Sequence, residues 1–164
     1  MTSAAQRARM GELMDLLVAR KAKVHYGQVR PMRSSAIHTD RQLRKHLRSR
    51  AGLTMDCSES VTLIAHLAGL RDPNGLNYDG AGYTGTMLRY LEHYHDPARA
   101  RTGALWVVGG GTGEHVCMVR KPGDDPLMFS HGTEADPSFY PLSTMIAAFP
   151  GQPWTFLSIA KLGI

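Results

Sequence analysis

Three side chains in this sequence have the types and positions that nucleophilic chemistry asks for: Cys57, His115 and His131. Cys57 lies in Met55-Asp56-Cys57-Ser58-Glu59-Ser60-Val61, just ahead of an apolar run over 61–68 that reads as a buried helix. Asp56 or Ser58 can cap that helix. At a helix start the backbone N–H groups point outward and the dipole favours an anion, which pushes a thiol toward the thiolate that attacks carbonyls. The competing reading is a small buried residue, since free cysteine is among the most buried residue types. A thiol nucleophile needs a base within hydrogen-bond reach and a third group that holds the imidazole. His115 opens the strand after a glycine turn, and His131 ends the next strand. Neighbouring antiparallel strands would set the two rings side by side, so His131 is expected to orient His115. The N–H of Cys57 would help to hold an oxyanion.

The other histidines read differently. His66 falls inside the apolar helix, as a hydrogen-bonded core residue, and His25, His38, His46, His93 and His95 have polar, surface-like contexts. Two metal readings compete with the nucleophile. Cys57, His115, Cys117 and His131 form an N/S set that zinc accepts, but no Cys-x-x-Cys knuckle accompanies them. Asp72, Asn74, Asn77 and Asp79 offer oxygens, but their spacing is not that of an EF-hand and no glutamate closes the loop. The expectation is therefore no metal and no cofactor.

The elements that must position these residues follow from periodicity. Residues 4–20 carry Met10, Leu13, Met14, Leu17 and Val18 on one helical stripe. Residues 24–33 read as a turn-rich arm broken by Gly27 and Pro31, and 39–48 as a short basic helix. The helix of Cys57 is expected to end near Gly69. Residues 72–85 are a long Gly/Asn/Asp loop of the kind that forms substrate walls. Thr84 then caps a helix reaching Tyr94. From residue 103 the period becomes that of strands: 104–109, 114–120, 126–131 and 154–160. Short turns between the first three favour antiparallel pairing. Helices first and strands later predict an α+β fold, the N-terminal helices packed on one face of a small antiparallel β-sheet. The chain divides into an N-terminal amphipathic helix, 1–22, and one domain, 23–164.

At 164 residues, 43% apolar and 20% charged, the composition is that of a soluble globular domain with a real core. No apolar run approaches the roughly 18 residues of a membrane span. The basic start of the chain has no apolar core behind it, so no secretory signal is read and synthesis in the cytoplasm is expected. Two cysteines make no disulfide framework, and a bridge between them would silence the nucleophile. The net charge of +5 is concentrated in 41–50, a face suited to an anionic wall or to water. Without interleaved aromatics it does not read as a nucleic-acid site.

Asp56-Cys57-Ser58 at a helix start, then His115-Val116 opening a strand, then a polar residue on the next strand, resembles the NlpC-type papain-like cysteine peptidases, which cleave peptide stems of bacterial peptidoglycan. The phrase Asp-Pro-Asn-Gly-Leu-Asn-Tyr-Asp-Gly-Ala-Gly-Tyr-Thr-Gly-Thr, with Ser130-His131-Gly132, resembles the actinobacteriophage branch found in lysins and virion-associated proteins. The likeness spans about 24–162. It implies a papain-like fold, with Cys57 as nucleophile, His115 as base and His131 as orienter. Tyr26 resembles the tyrosine that lines the family's site, and with Asp56 and Ser58 makes up the expected substrate and oxyanion region. Residues 101–106 resemble the family's Gly-Asp-Leu strand with alanine for aspartate. The implied activity is a peptidoglycan endopeptidase or amidase needing no cofactor. The implied partners are peptidoglycan and other virion proteins, and the place of action is the cell wall or the phage particle.

The chain departs from that pattern at points that matter. Glu59-Ser60 replaces the glycine-aromatic pair after the nucleophile, and a carboxylate there opposes thiolate formation if it points inward. Cys117 replaces a small residue two after His115. No separate wall-binding repeat is present in the sequence. These features suit an alternative, a non-catalytic structural protein of a virion that reuses the fold.

Overall fold

The computed structural model describes residues 1–28, 37–132 and 136–163. It is mixed helix and sheet, with the α+β order expected. Helix α1 (Ala4–Ala19) opens with a capping box: the Ser3 hydroxyl accepts from Gln6 N–H and the Gln6 amide oxygen accepts from Ser3 N–H. Its stripe of Met10, Leu13, Met14 and Leu17 is buried in the main core, so the helix belongs to the domain's own interior. Strand β1 (Val24–Tyr26) follows, inside the segment expected to be a turn-rich arm. It pairs in parallel with β2 (Leu53–Met55), Tyr26 opposite Met55. Three residues are too few for a periodic signal. Residues 29–33 of that arm, Pro31 among them, lie outside the described residues. Between the two strands the basic helix α2 (Asp40–Arg48) is present, capped by Thr39 and turning Leu43 and Leu47 inward.

Helix α3 (Cys57–Leu67) is the central element. Residues 57–65 are all buried, because α1 covers one side and the sheet another. Its buried hydroxyls are satisfied locally: Ser60 Oγ donates to the Cys57 carbonyl and Thr62 Oγ1 to the Ser58 carbonyl. The helix expected over 84–94 stops early. Helix α4 is Thr84–Tyr90, and Glu92–Tyr94 forms strand β3 at the sheet edge.

The main sheet has the order β3-β8-β4-β5-β6-β7 and is antiparallel throughout. Its further strands are β4 (Leu105–Val108), β5 (His115–Lys121), β6 (Leu127–Ser130), β7 (Ser138–Pro141) and β8 (Trp154–Ser158). The turn from β4 to β5 needs Gly109, at φ +102°, where a Cβ would lie 2.6 Å from the Glu114 nitrogen. Alternation splits the sheet into two cores. Leu105, Val107, Val116, Met118, Phe129 and Leu157 face α1 and α3. Trp106, Val108, Cys117, Val119, Met128 and Phe156 face the other way. That second face is closed by helix α5 (Leu142–Ala148), through Leu142 and Met145. The expectation of helices on one face alone is thus corrected. Strand β4 is buried at every position because the sheet is covered on both sides. Strand β7 and α5 gave no separate reading, being short and joined without a break. Among the described residues no helix is long and apolar enough to cross a membrane.

Candidate functional site

Asp56 makes the start of α3. Its Oδ1 accepts from the Glu59 N–H at 2.8 Å and from Ser58 Oγ at 2.8 Å, so Asp56 is the cap and Ser58 its partner. Cys57 is the first residue of the helix and is buried. The expectation of a thiolate is not met. Burial pushes the thiol up to about 11; hydrogen bonding from the backbone of Val116 pulls the other way, and the charge of Asp56 adds to the rise. The helix-start N–H groups of Cys57 and Ser58 do favour the anion, but desolvation outweighs them. Glu59 is wholly buried, and its charge helps to hold the Tyr78 phenol, already raised by burial, above its usual range.

The two histidines are not side by side. In the β5–β6 register Met118 lies opposite Phe129, and both face α3. Continuing that register sets His131 opposite Val116, also on the α3 side, while His115 shares the far side with Cys117 and Val119. The contacts agree. His115 stacks against Phe149 at 5.8 Å, and its Nε2 is 2.9 Å from Ser130 Oγ. His131 is buried with its Nε2 3.0 Å from the Met55 carbonyl oxygen, and its ring meets Tyr26 edge-on at 5.6 Å. Two neighbours on one strand point to opposite faces, so Ser130 and His131 serve different sides of the sheet. The expected side-by-side placement of His115 and His131 is therefore corrected by strand alternation: the imidazole on the side of Cys57 is His131. The same alternation divides the four zinc candidates into Cys57 with His131 and Cys117 with His115. No cluster of three or more His, Cys, Asp or Glu fit to hold a metal occurs among the described residues.

A carbonyl only accepts, so His131 Nε2 carries the proton donated to Met55, and Nδ1 is the basic nitrogen of the neutral ring. Strand pairing explains why this works. The β1–β2 ladder puts Tyr26 beside Met55, two residues before Cys57, so one short parallel pair supports ring, carbonyl and thiol together. Tyr26 accepts a hydrogen bond from Gln28 Nε2 at 3.0 Å.

Sequence reasoning gave the 72–85 loop as a wall without naming what fixes it. Asn74 does. Its Nδ2 donates to Thr62 Oγ1 on α3 and to Asp72 Oδ1, and its Oδ1 accepts from Tyr83 N–H and Thr86 Oγ1. The loop carboxylate of Asp72 accepts from both the N–H and Nδ2 of Asn74. Gly82 lies so close to α3 that a Cβ would stand 2.2 Å from the Ser58 carbonyl oxygen. The Asp-Pro-Asn-Gly run was the available signal for Asn74. A cleft of about 310 Å³ runs along this loop, lined by Asp72, Asn74, Asp79, Gly82 and Tyr83. A second, of about 710 Å³, is lined by His66, Tyr78 and Tyr90. His66 stacks on Tyr78 at 3.7 Å, with His38 edge-on to both. His66 is half-buried, and burial and the neighbouring His38 lower its pKa.

Comparison of the chain with protein-family models, curated proteins and solved structures finds no match.

Proposed function

We propose that the protein is a papain-like thiol hydrolase, of the kind the NlpC-type peptidases exemplify, that cleaves a stem-peptide amide of bacterial peptidoglycan. The observation that supports this reading is that Cys57, at a helix start, and His131, whose Nε2 is tied to the Met55 carbonyl, lie on the same side of the sheet. The working pair is Cys57 and His131. As Sγ attacks the amide carbonyl, His131 Nδ1 takes the thiol proton. Collapse of the tetrahedral adduct breaks the C–N bond, and the imidazolium returns that proton to the leaving amine. Water then attacks the thioester, with His131 as its base, and frees the carboxylate and the thiol. The thiol rests protonated, since burial raises it to about 11. Tyr26 and the loop carrying Gly82 and Tyr83 form the substrate walls. The basic helix α2 suits an anionic wall, and no cofactor takes part.

A second reading is favoured by the buried thiol, raised to about 11: a non-catalytic structural protein of a phage particle that keeps the scaffold. New amino groups released from purified actinobacterial peptidoglycan separate the two. Release by the wild type and none by Cys57→Ala supports the hydrolase. Equal release by both sinks Cys57 as nucleophile, and no release by either favours the structural protein.

A further inference from the structure

Arg7, Arg99 and Arg101 converge on a cleft of about 190 Å³ that also contains Tyr94. The cleft is separate from the candidate site. It is bordered by Ala104 and Ser158, at the end of β4 and β8 where Leu105 pairs with Leu157 and Met118. His115 pairs with Val108 at the other end of β4, roughly 10 Å along the strand.

Among the described residues the three guanidinium groups are held there without acidic partners. Arg7 reaches the Thr102 and Thr2 carbonyls, both at 3.4 Å, and Arg101 Nη1 donates to the Ala98 and Ala100 carbonyls. Arg99 lies over the Tyr94 ring, 5.1 Å from its centroid. Among the described residues none of the three forms an ion pair, whereas Arg9, Arg44 and Arg120 each do. Each guanidinium has five N–H donors, so most of this capacity faces the cleft or solvent. All three charges bear on the Tyr94 phenol, which burial nevertheless raises to about 12, so its hydroxyl stays protonated and can donate. Asp96 also bears on Tyr94, but its carboxylate accepts from the Ala98 N–H and caps the short 3₁₀ turn Pro97–Arg99.

We propose that this cleft binds a phosphoryl group, held by Arg7, Arg99 and Arg101 with the Tyr94 hydroxyl as a neutral donor. Three cations brought from α1, from the 3₁₀ turn and from the segment after it surround a tetrahedral dianion better than a flat carboxylate. Forked guanidinium donors match phosphoryl oxygens. The cleft is larger than a bare phosphate, which leaves room for the group to which a monoester is attached.

Calorimetric titration of the full chain with inorganic phosphate, glycerol phosphate and acetate, each against sodium chloride at matched ionic strength, tests this. The expected result is saturable binding of phosphate and the ester, with acetate at least about tenfold weaker. Arg99→Gln and Tyr94→Phe should each weaken phosphate about tenfold. Arg99 is exposed, and phenylalanine keeps the Tyr94 ring stacked on Phe156, so both variants should melt near the wild type without anion. Tighter binding of glycerol phosphate than of phosphate supports an ester ligand, and equal binding supports the free ion. Phosphate no better than chloride or acetate, or unchanged affinity in both variants, overturns the proposal.

Discussion

The thiol of Cys57 should react slowly at neutral pH and faster with every increment of alkali. Its pKa is raised to about 11 from an ordinary 9.0, chiefly by burial. At pH 8 a thiol at about 11 is roughly 0.1% ionised, against about a quarter for a free thiol near 8.5. The more basic thiolate is intrinsically more nucleophilic, which returns roughly a factor of ten. Ionisation alone thus predicts alkylation roughly twentyfold slower than that of a free thiol, and burial slows it further. The assay is iodoacetamide labelling of a Cys117→Ala protein followed by mass, from pH 7 to 9.5. The rate should climb about tenfold per pH unit across the range. A plateau below pH 8.5, or a rate at pH 7 equal to that of a free thiol, would refute the reasoning and restore a helix-start thiolate. Stability follows the same linkage. The folded state holds this proton more tightly than the unfolded chain, so the contribution is complete below about pH 9 and is lost as pH rises toward about 11. It amounts to roughly 2–3 kcal/mol, and Tyr94, raised to about 12, extends the loss.

Asp56→Ala removes the cap of α3 and should cost about 1 kcal/mol or somewhat more in urea unfolding, since both its partners are buried. Asp15 and Arg120 join α1 to β5 through two hydrogen bonds of 2.8 Å. Arg120 holds the Asp15 carboxyl below its usual range, so this contribution is present above about pH 4 and lost as pH falls through the lowered value. The pair is partly exposed, so Asp15→Asn should cost no more than about 1 kcal/mol at pH 7, and the cost should shrink as pH falls through the lowered value. Gly82→Ala forces the loop off the Ser58 carbonyl, and limited proteolysis should cut 72–83 faster than in the wild type.

Much of the fold can be read along the chain, because its signals are local. The stripe of Met10, Leu13, Met14 and Leu17, the Asp56 cap and the glycine turn at 109–113 each declare an element with its neighbours alone. The strands β1 and β3 do not, since three residues each acquire meaning only from β2 and β8. Strand β6 illustrates how a site is misread. His131 is one residue past Ser130, and whether it meets His115 depends on which face each occupies. Periodicity places both near one sheet end, but only the packing of α3 on Val116 and of Phe149 on His115 tells the faces apart. The burial of the thiol is hidden from the sequence for a related reason. The helix dipole is visible in the sequence, whereas desolvation depends on β5 and the rest of the sheet packing on α3 from far along the chain.

The proposed pairing of Cys57 with His131 is most directly tested by clearing of a purified actinobacterial peptidoglycan suspension. Cys57→Ala, His131→Gln and His115→Gln are compared with the wild type after their folds are matched by circular dichroism. Glutamine at 131 keeps an N–H for the Met55 carbonyl but has no basic nitrogen, and glutamine at 115 keeps a partner for Ser130. The account predicts clearing by the wild type and by His115→Gln, and none by Cys57→Ala or His131→Gln. Clearing by His131→Gln together with its loss in His115→Gln would contradict it.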